Sequence, residues 1–426
     1  MNRILLVLNT LLFGFFGYSQ TAWTWTELDT MPIHISNNAV TDATINNTPY
    51  VFSFGGIDTS KIYSGITLRS FKYNVNTSTW TEIASLPSGQ PRIASAASTV
   101  KNKIYIIGGY SVASNGNETS SSTVNIYSPT TDTFEADGTP IPTPIDDHVQ
   151  CVWKDSLIYV ITGWSNFSNV PKVQIYNPSS DTWLTGTNTP SSSDYKVFGG
   201  SGTIIGDTIY YFGGAVSIGN FYATKKLRKG IIDPNNATNI TWTLENDGPN
   251  NSYRSACLSY DDNVFWVGGS ATSYNYDGIA YNGSGGVAPL TQIMRYNLST
   301  KNWYAGNGTP YSVMDLRGVA RISPTSWIIC GGMNENQQVT NKTFLLTYDP
   351  ITGGIKHQEK TNTIFVYNQY IYSDQFFKLA VLYDLNGKII ETINYNNPII
   401  TTQNKGVYIL NVTLSNNEIV NLKVSL

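Results

Sequence analysis

Five basic residues are notable for where they fall. Arg92, His148, Lys196, Arg254 and Arg317 each stand near the start of an apolar run, in separate stretches of roughly fifty residues. Brought to one mouth, they would focus a positive field and attract an anionic ligand. Asp194 and Asp315 stand two residues before Lys196 and Arg317. Residues two apart on a strand face the same way, so simple ion pairing is the competing reading. A second group is aromatic: Tyr274, Tyr276 and Tyr281 share segment 270–290 with Asp277 and a Gly-Ser-Gly-Gly run. A Tyr ring has an apolar face and a polar tip, which suits stacking on a sugar. The alternative for this segment is a solvated insertion.

Composition narrows the chemistry. The 426 residues carry 26 Lys+Arg and 29 Asp+Glu, a net charge of −3, so phosphate neutralisation and nucleic-acid binding are not expected. With 41% hydrophobic residues the chain can bury a large core. Three His (His34, His148, His357) and three Cys leave little material for a metal centre or a disulfide framework, and no cofactor is expected. Cys151 and Cys257 lie at equivalent places of a repeat, and with Cys330 they read as small buried apolar residues.

The repeat is what would position these groups. Six strand-like runs (residues 50–56, 104–109, 158–163, 209–214, 264–269 and 327–332) end in Gly-Gly, or once Thr-Gly. The second Gly recurs at spacings of 53, 54, 51, 55 and 63. Trp25, Trp80, Phe134, Trp183, Trp242 and Trp303 precede it by a nearly constant 27 to 31 residues. The interval from Gly to the following aromatic varies from 20 to 34, so insertions gather on one face. Tyr73, Tyr127, Tyr176 and Tyr296 stand seven residues before an aromatic, across turn sequences such as Asn-Pro-Ser-Ser-Asp-Thr. Each repeat thus holds four short strands, the last two forming a hairpin.

These markers resemble the kelch motif, a four-stranded blade with a Gly doublet and spaced Tyr and Trp. The likeness spans about residues 22–352, with Thr162 for the first Gly in blade three and no Tyr before Trp242. It implies an all-β, six-bladed propeller, whose radial repetition leaves only short, protected edges. The aromatics would pack between blades. Six Gly doublets and six aromatics are offset by one, because Ile355 stands where the last Trp is due and Trp25 has no Gly doublet before it. Residues 22–28 are therefore expected to supply the outer strand of blade six and close the ring.

The ends suggest export. Residues 1–20 read as a signal peptide: Arg3, an apolar stretch, then Gly17 and Ser19 before a cleavage point. The propeller would occupy residues 21–352 and a polar linker residues 353–362. Residues 363–426 form a small all-β module, with strands at 379–385, 388–393, 407–412 and 419–424 and an Asn386-Gly387 hairpin turn. Its Val381-Leu382-Tyr383-Asp384-Leu385-Asn386-Gly387-Lys388, Gly406-Val407-Tyr408-Ile409 and final strand with Lys423 resemble the C-terminal sorting domain of type IX secretion cargo from Bacteroidetes. Only Val366-Tyr367-Asn368 stands for the usual opening motif. That resemblance implies passage across the outer membrane and a secreted or cell-surface location, with the secretion machinery as a partner and no transmembrane span in the mature protein. The competing reading is an ordinary β-sandwich accessory domain.

Three functions follow. The first is a binding protein that grips a glycan or an extracellular protein through the long loops at 110–122, 215–225, 270–290 and 333–342. The second is a carbohydrate-active enzyme, since some bacterial six-bladed kelch propellers are sialic acid mutarotases; Asp194, Lys196, Arg254 and Arg317 would then be the acid and base candidates. The third, a copper oxidase resembling galactose oxidase, lacks its His ligands: His357 lies beyond the propeller, and His34 and His148 belong to distant blades.

Overall fold

The computed structural model describes residues 23–350 and 364–426, apart from residues 88, 90, 307, 308, 368, 374–376, 396, 397, 403 and 416–418. The expected signal peptide of residues 1–20, the expected linker of residues 353–362, Ile355 and His357 lie outside the described residues. The chain divides into two compact units, Met1–Pro350 and Ile351–Leu426.

Among the described residues, the first unit forms six antiparallel four-stranded sheets. Blade one is Ala39–Ile45, Thr48–Phe54, Ser70–Asn74 and Thr79–Ile83. Blade two is Ala96–Val100, Lys103–Ile107, Val124–Ser128 and Thr133–Phe134. Blade three is Val149–Trp153, Leu157–Ile161, Val173–Asn177 and Thr182–Thr185. Blade four has longer strands, Phe198–Ile205, Thr208–Ala215, Leu227–Asp233 and Asn236–Leu244. Blade five is Ala256–Tyr260, Asn263–Val267, Met294–Asn297 and Asn302–Ala305. Blade six takes Ala320–Ser323, Ser326–Cys330 and Thr343–Tyr348 from its own repeat and Trp23–Leu28 from the N-terminus. The innermost strands neighbour one another in ring order, and the short strand Arg317–Gly318 pairs in parallel with Ala39–Val40, joining blade six to blade one.

The apolar core lies between blades. One buried cluster fills each seam, as where Phe52, Phe54, Ile83, Ile104, Ile106 and Tyr127 join blades one and two. The outer-strand Trp closes the seam with a polar bond as well. The indole N–H of Trp80 donates to Asp29 O, Trp183 to Thr139 O, Trp242 to Thr187 O and Trp303 to Asn246 O, at 2.7–3.0 Å. Within the hairpins Tyr73, Tyr127, Tyr176 and Tyr296 lie opposite Trp80, Phe134, Trp183 and Trp303. In blade four the place opposite Trp242 is Gly230, where any Cβ would strike the indole, so the missing Tyr is a steric consequence.

The Gly doublet has an inter-blade purpose. The second Gly donates its N–H to the chain entering the next blade: Gly109 to Ile145 O, Gly163 to Val197 O, Gly214 to Ser252 O, Gly269 to Val313 O and Gly332 to Ile35 O, at 2.7–3.0 Å. At Gly108–Gly109, with φ of 65° and 92°, a Cβ on either residue would collide with the Ile145 carbonyl or with Ser95, so both conformation and closeness select glycine. Thr162 holds the same left-handed φ of 49°. Its hydroxyl bonds both Val197 N–H and Val197 O, which compensates for the substitution.

The N-terminal strand does complete blade six, but in a register different from that expected. Trp23, not Trp25, lies opposite Tyr348, while Trp25 faces Leu346. Trp23 packs on Tyr348 and Phe265 at 5.0 Å and on Trp327 at 5.9 Å, so it bridges blades five and six.

In the second unit the sheet Phe377–Tyr383, Ile389–Ile393, Val407–Leu414 and Ile419–Ser425 is joined by a hairpin, Ile364–Tyr367 with Tyr370–Ser373. At the Asn386-Gly387 turn, Gly387 has φ of 81° and the Asp384 carboxylate accepts the N–H groups of Asn386 and Lys388 at 2.9 Å. Cys151, Cys257 and Cys330 are free thiols in the propeller.

Deleting residues 21–28 strips the outer strand from blade six and exposes Phe265, Trp327 and Tyr348. Thermal unfolding should show Tm lowered by about 10 °C or more, since each kcal/mol lost is worth a few degrees. An unchanged Tm would contradict closure by this strand.

Candidate functional site

Just before each inner strand the chain passes through one residue with left-handed backbone: Asn37, Ala94, Asp147, Gly199, Arg254 and Asp315, with φ from 47° to 65°. These six residues form a ring. Asp147 N donates to Ala94 O, Gly199 N to Asp147 O, Arg254 N to Gly199 O and Leu316 N to Arg254 O, at 2.7–3.1 Å. Ala94 N donates to the Asn37 side-chain oxygen at 2.7 Å. The ring side chains meet on the axis. The buried Arg254 guanidinium grips Asp147 through Nε and Nη2 at 3.1 and 2.6 Å and reaches Asp315 Oδ1 at 2.9 Å. Asp315 also accepts from Ser36 Oγ at 2.5 Å and Asn37 Nδ2 at 3.1 Å. Arg317 adds a 3.4 Å contact to Asp147 and donates to His148 O at 3.1 Å.

The expected basic ring therefore exists only in part, and its charges are already used. Arg254 and Arg317 are balanced by Asp147 and Asp315. Arg92 stays in its own blade, donating to Gly108 O at 2.7 Å and Asn125 Oδ1 at 2.5 Å. Lys196 is half-buried in a turn and makes no ion pair among the described residues. The expected Asp315–Arg317 pairing also fails, because Asp315 is not in a strand: its positive φ turns the carboxylate to Arg254 instead. Asp194 likewise lies before its strand, and its carbonyl accepts from Arg228 Nε at 2.5 Å. His148 is buried; its Nε2 meets Gln150 Oε1 at 3.0 Å, and Nδ1 has no partner. Burial, then Arg317, pushes its pKa down to about 4. Below this plug runs a channel of about 360 Å³ lined by the inner strands, with His148, Arg317, Cys151 and Cys257 on its wall.

Above the plug the residue before each ring position pairs with the residue after each Gly doublet. The pairs are Ser36–Ile57, Ile93–Tyr110, Asp146–Trp164, Phe198–Ala215, Tyr253–Ser270 and Met314–Met333. Asp146 is the one carboxylate in this tier. Segment 270–290 lies over it as an ordered lid, not a solvated insertion. Lys61 Nζ of blade one donates to Asp277 O and Gln337 O at 3.0 Å, Gln337 Nε2 donates to Val287 O at 2.8 Å, and Ser273 Oγ donates to Phe221 O. Tyr274 is buried beneath the lid and packs edge-on against Tyr253, with Arg254 5.5 Å from its ring; it offers no stacking platform. Tyr276 packs half-buried on the loops of blades one and two.

Of the three tyrosines, Tyr281 faces a cavity. This space of about 100 Å³ is lined by Tyr110, Glu118, Asp146, Asp147, Trp164, Phe198, Phe221 and Tyr281. Trp164, Phe198, Phe221 and Tyr281 meet at steep angles of 62–82°, with centroids 5.1–6.1 Å apart, as adjoining walls. Three carboxyls share it in different states. Burial opposes charge on Asp147, but Arg254 and Arg317 outweigh it and hold the pKa below the usual range. Asp146 is 3% exposed, with Oδ2 2.5 Å from Ser120 Oγ. Burial, then Asp147, drives its pKa well above the usual carboxylate range. Burial also raises Glu118. Carboxyls pushed apart in this way are what acid–base chemistry uses.

Apart from Tyr281, no residue of this cavity was singled out from sequence as a candidate. A signal was present: Asp146-Asp147-His148 stands at the register place where other repeats carry Phe198-Gly199-Gly200 or Met314-Asp315-Leu316. Tyr110 and Trp164 each follow a Gly doublet or its Thr-Gly equivalent.

Two stability measurements test the plug. Arg254→Ala leaves Asp147 and Asp315 buried without their counter-ion and should cost about 3–5 kcal/mol in denaturant unfolding; a loss under about 1 kcal/mol would contradict the clamp. His148 contributes stability that is complete above its ordinary pKa of 6.5 and is lost as pH falls toward about 4, because only the unfolded chain takes up the proton. His148→Gln should flatten the acid limb between those values by at most about 3 kcal/mol.

Comparison with known proteins accords with this architecture. Residues 13–214 match the family model described as KLHDC2/KLHL20/DRC7 Kelch-repeats domain. Over 174 residues the chain is 27% identical to Kelch-like protein terF of Aspergillus terreus, covering 39% of this chain and 36% of that protein. The chain thus spans about a third of the length of that curated relative. The solved structure of YjhT shares the fold, with a TM-score of 0.60 at 16% identity over 82% of this chain and 99% of that one. The markers in register and the model matched over residues 13–214 both point to kelch repeats, and residues 23–348 form an all-β propeller whose fold is shared with YjhT.

Proposed function

We propose that this chain is an exported binding protein that recognises a carbohydrate through the lidded face of its propeller. The observation that carries the reading is the cavity of Trp164, Phe198, Phe221 and Tyr281 with carboxyls at its edge. Aromatic walls take the C–H face of a sugar, and carboxyl oxygens accept its hydroxyls. The site is built from loops on a rigid scaffold, where binding groups usually sit. The sequences of residues 1–20 and 363–426 support export to the cell surface or beyond, with the tail engaging a type IX secretion apparatus.

A second reading, a carbohydrate-active epimerase of the sialic acid mutarotase kind, is favoured by two carboxyls of raised pKa, Asp146 and Glu118, in one cavity. A positioned acid of that sort contributes roughly 10²–10⁴-fold to proton transfer. The acid and base candidates move accordingly, from Asp194, Lys196, Arg254 and Arg317 to Asp146 and Glu118.

A glycan array, with sialylated members, should return hits that vanish in Trp164→Ala while near-ultraviolet circular dichroism shows a folded protein. Hits that survive Trp164→Ala would place recognition elsewhere. NMR of sialic acid anomerisation decides the second reading: acceleration that falls at least about 100-fold in Asp146→Asn supports catalysis, and no acceleration leaves binding alone.

A further inference from the structure

We propose that the group seated in the loop-face cavity is a cation, an alkylammonium of the quaternary or protonated tertiary class. This rests on the loop-face reading above and specifies the chemistry of the ligand. The cavity combines two features that favour such a group. Four aromatic residues, Trp164, Phe198, Phe221 and Tyr281, line it, and ring faces attract cations. Two of its acids also lack a direct counter-ion. Asp147 is held by Arg254 and Arg317, but among the described residues neither Glu118 nor Asp146 makes an ion pair. The ring clamp keeps the nearby guanidinium groups turned toward Asp147 and Asp315, so Arg254 acts on the other two carboxyls only at a distance.

Size agrees. A single water needs roughly 10–15 Å³ of such space, and the cavity holds about 100 Å³, enough for the five heavy atoms of a tetramethylammonium-like head. The electrostatics supply a further consequence. With Glu118 and Asp146 driven toward the neutral form by burial, an incoming cation favours their ionised forms. Binding therefore releases protons, and affinity rises with pH until both carboxyls are ionised in the free protein.

The test uses the full chain and two probes of the same shape, choline and its uncharged carbon isostere 3,3-dimethylbutan-1-ol. Calorimetry in two buffers of different ionisation enthalpy should show choline binding at least tenfold more tightly than the isostere, with proton release. Glu118→Gln should weaken choline at least about fivefold while leaving the isostere unchanged, which a merely structural effect would not do. A peptide bearing trimethyllysine, run in parallel, distinguishes a side-chain source from a free amine; binding of either supports the proposal. Equal affinity for choline and isostere, or no choline binding, overturns it. Neutral glycans lost on Trp164→Ala without any choline binding would keep the loop-face site and reject the cation. Absence of both would reject the site itself.

Discussion

The Arg254 guanidinium is the point on which the propeller is centred. It arises from blade five and binds Asp147 of blade three and Asp315 of blade six, and Asp315 in turn holds Ser36 and Asn37 of blade one. Two guanidinium groups and two carboxylates taken out of water are expensive, and such clusters are weak sources of net stability. Their strength lies in geometry, because misplacing one partner leaves a buried charge alone. The six left-handed residues around the cluster, with their blade-to-blade backbone bonds, hold the inner strands at the spacing that the clamp requires. The wedge-shaped seams of Trp, Tyr and Phe fill whatever gap that spacing leaves.

The same clamp divides the axis into two environments. Below it, the inner strands line a polar channel in which His148 is kept neutral by burial and by Arg317. Above it, loops meet under the lid. Asp146 and Asp147 are adjacent in the chain and both line the loop-face cavity, yet their carboxyls turn to different partners. Asp147 turns inward to two guanidinium groups, whereas Asp146 pairs its backbone with Trp164 and its carboxyl with Ser120. Left-handed backbone at Asp147 provides that divergence. A site with one anchored anion and one acid of raised pKa is thus a by-product of how blade three enters the ring.

These features differ in how legible they are from sequence. The blade markers report contacts between residues close in the chain, such as Tyr176 with Trp183, or a Gly doublet shaped by the next blade's entry. They recur because each blade solves the same local problem, so period and strand order could be read directly. Closure by the N-terminal strand followed from a count, although Trp23 rather than Trp25 took the place opposite Tyr348. The plug was hidden, because its partners are 61 and 107 residues apart. The two-residue rule that suggested Asp315–Arg317 pairing assumed a strand, and positive φ at Asp315 breaks it. The aromatic cavity was hidden for a related reason. Trp164 and Phe221 come from loops of different blades, and nothing in either loop announces the other.

The lid sets the loop face apart from the channel side. Lys61 fastens Asp277 and Gln337 by their carbonyls, so three loops are held by a cation whose charge is not spent on a carboxylate. Ser273 holds Phe221 by its carbonyl. The aromatic walls are consequently fixed by hydrogen bonds to their backbones rather than by contact with what they enclose. Binding there does not have to order the rings first, and that ordering is a principal cost of association. The channel side has no comparable arrangement: its wall is the pleated surface of six strands, polar and open along the axis. An aromatic-lined cavity whose Glu118 and Asp146 make no ion pair among the described residues, set above a charge-balanced plug, gathers apolar and acidic groups on one face.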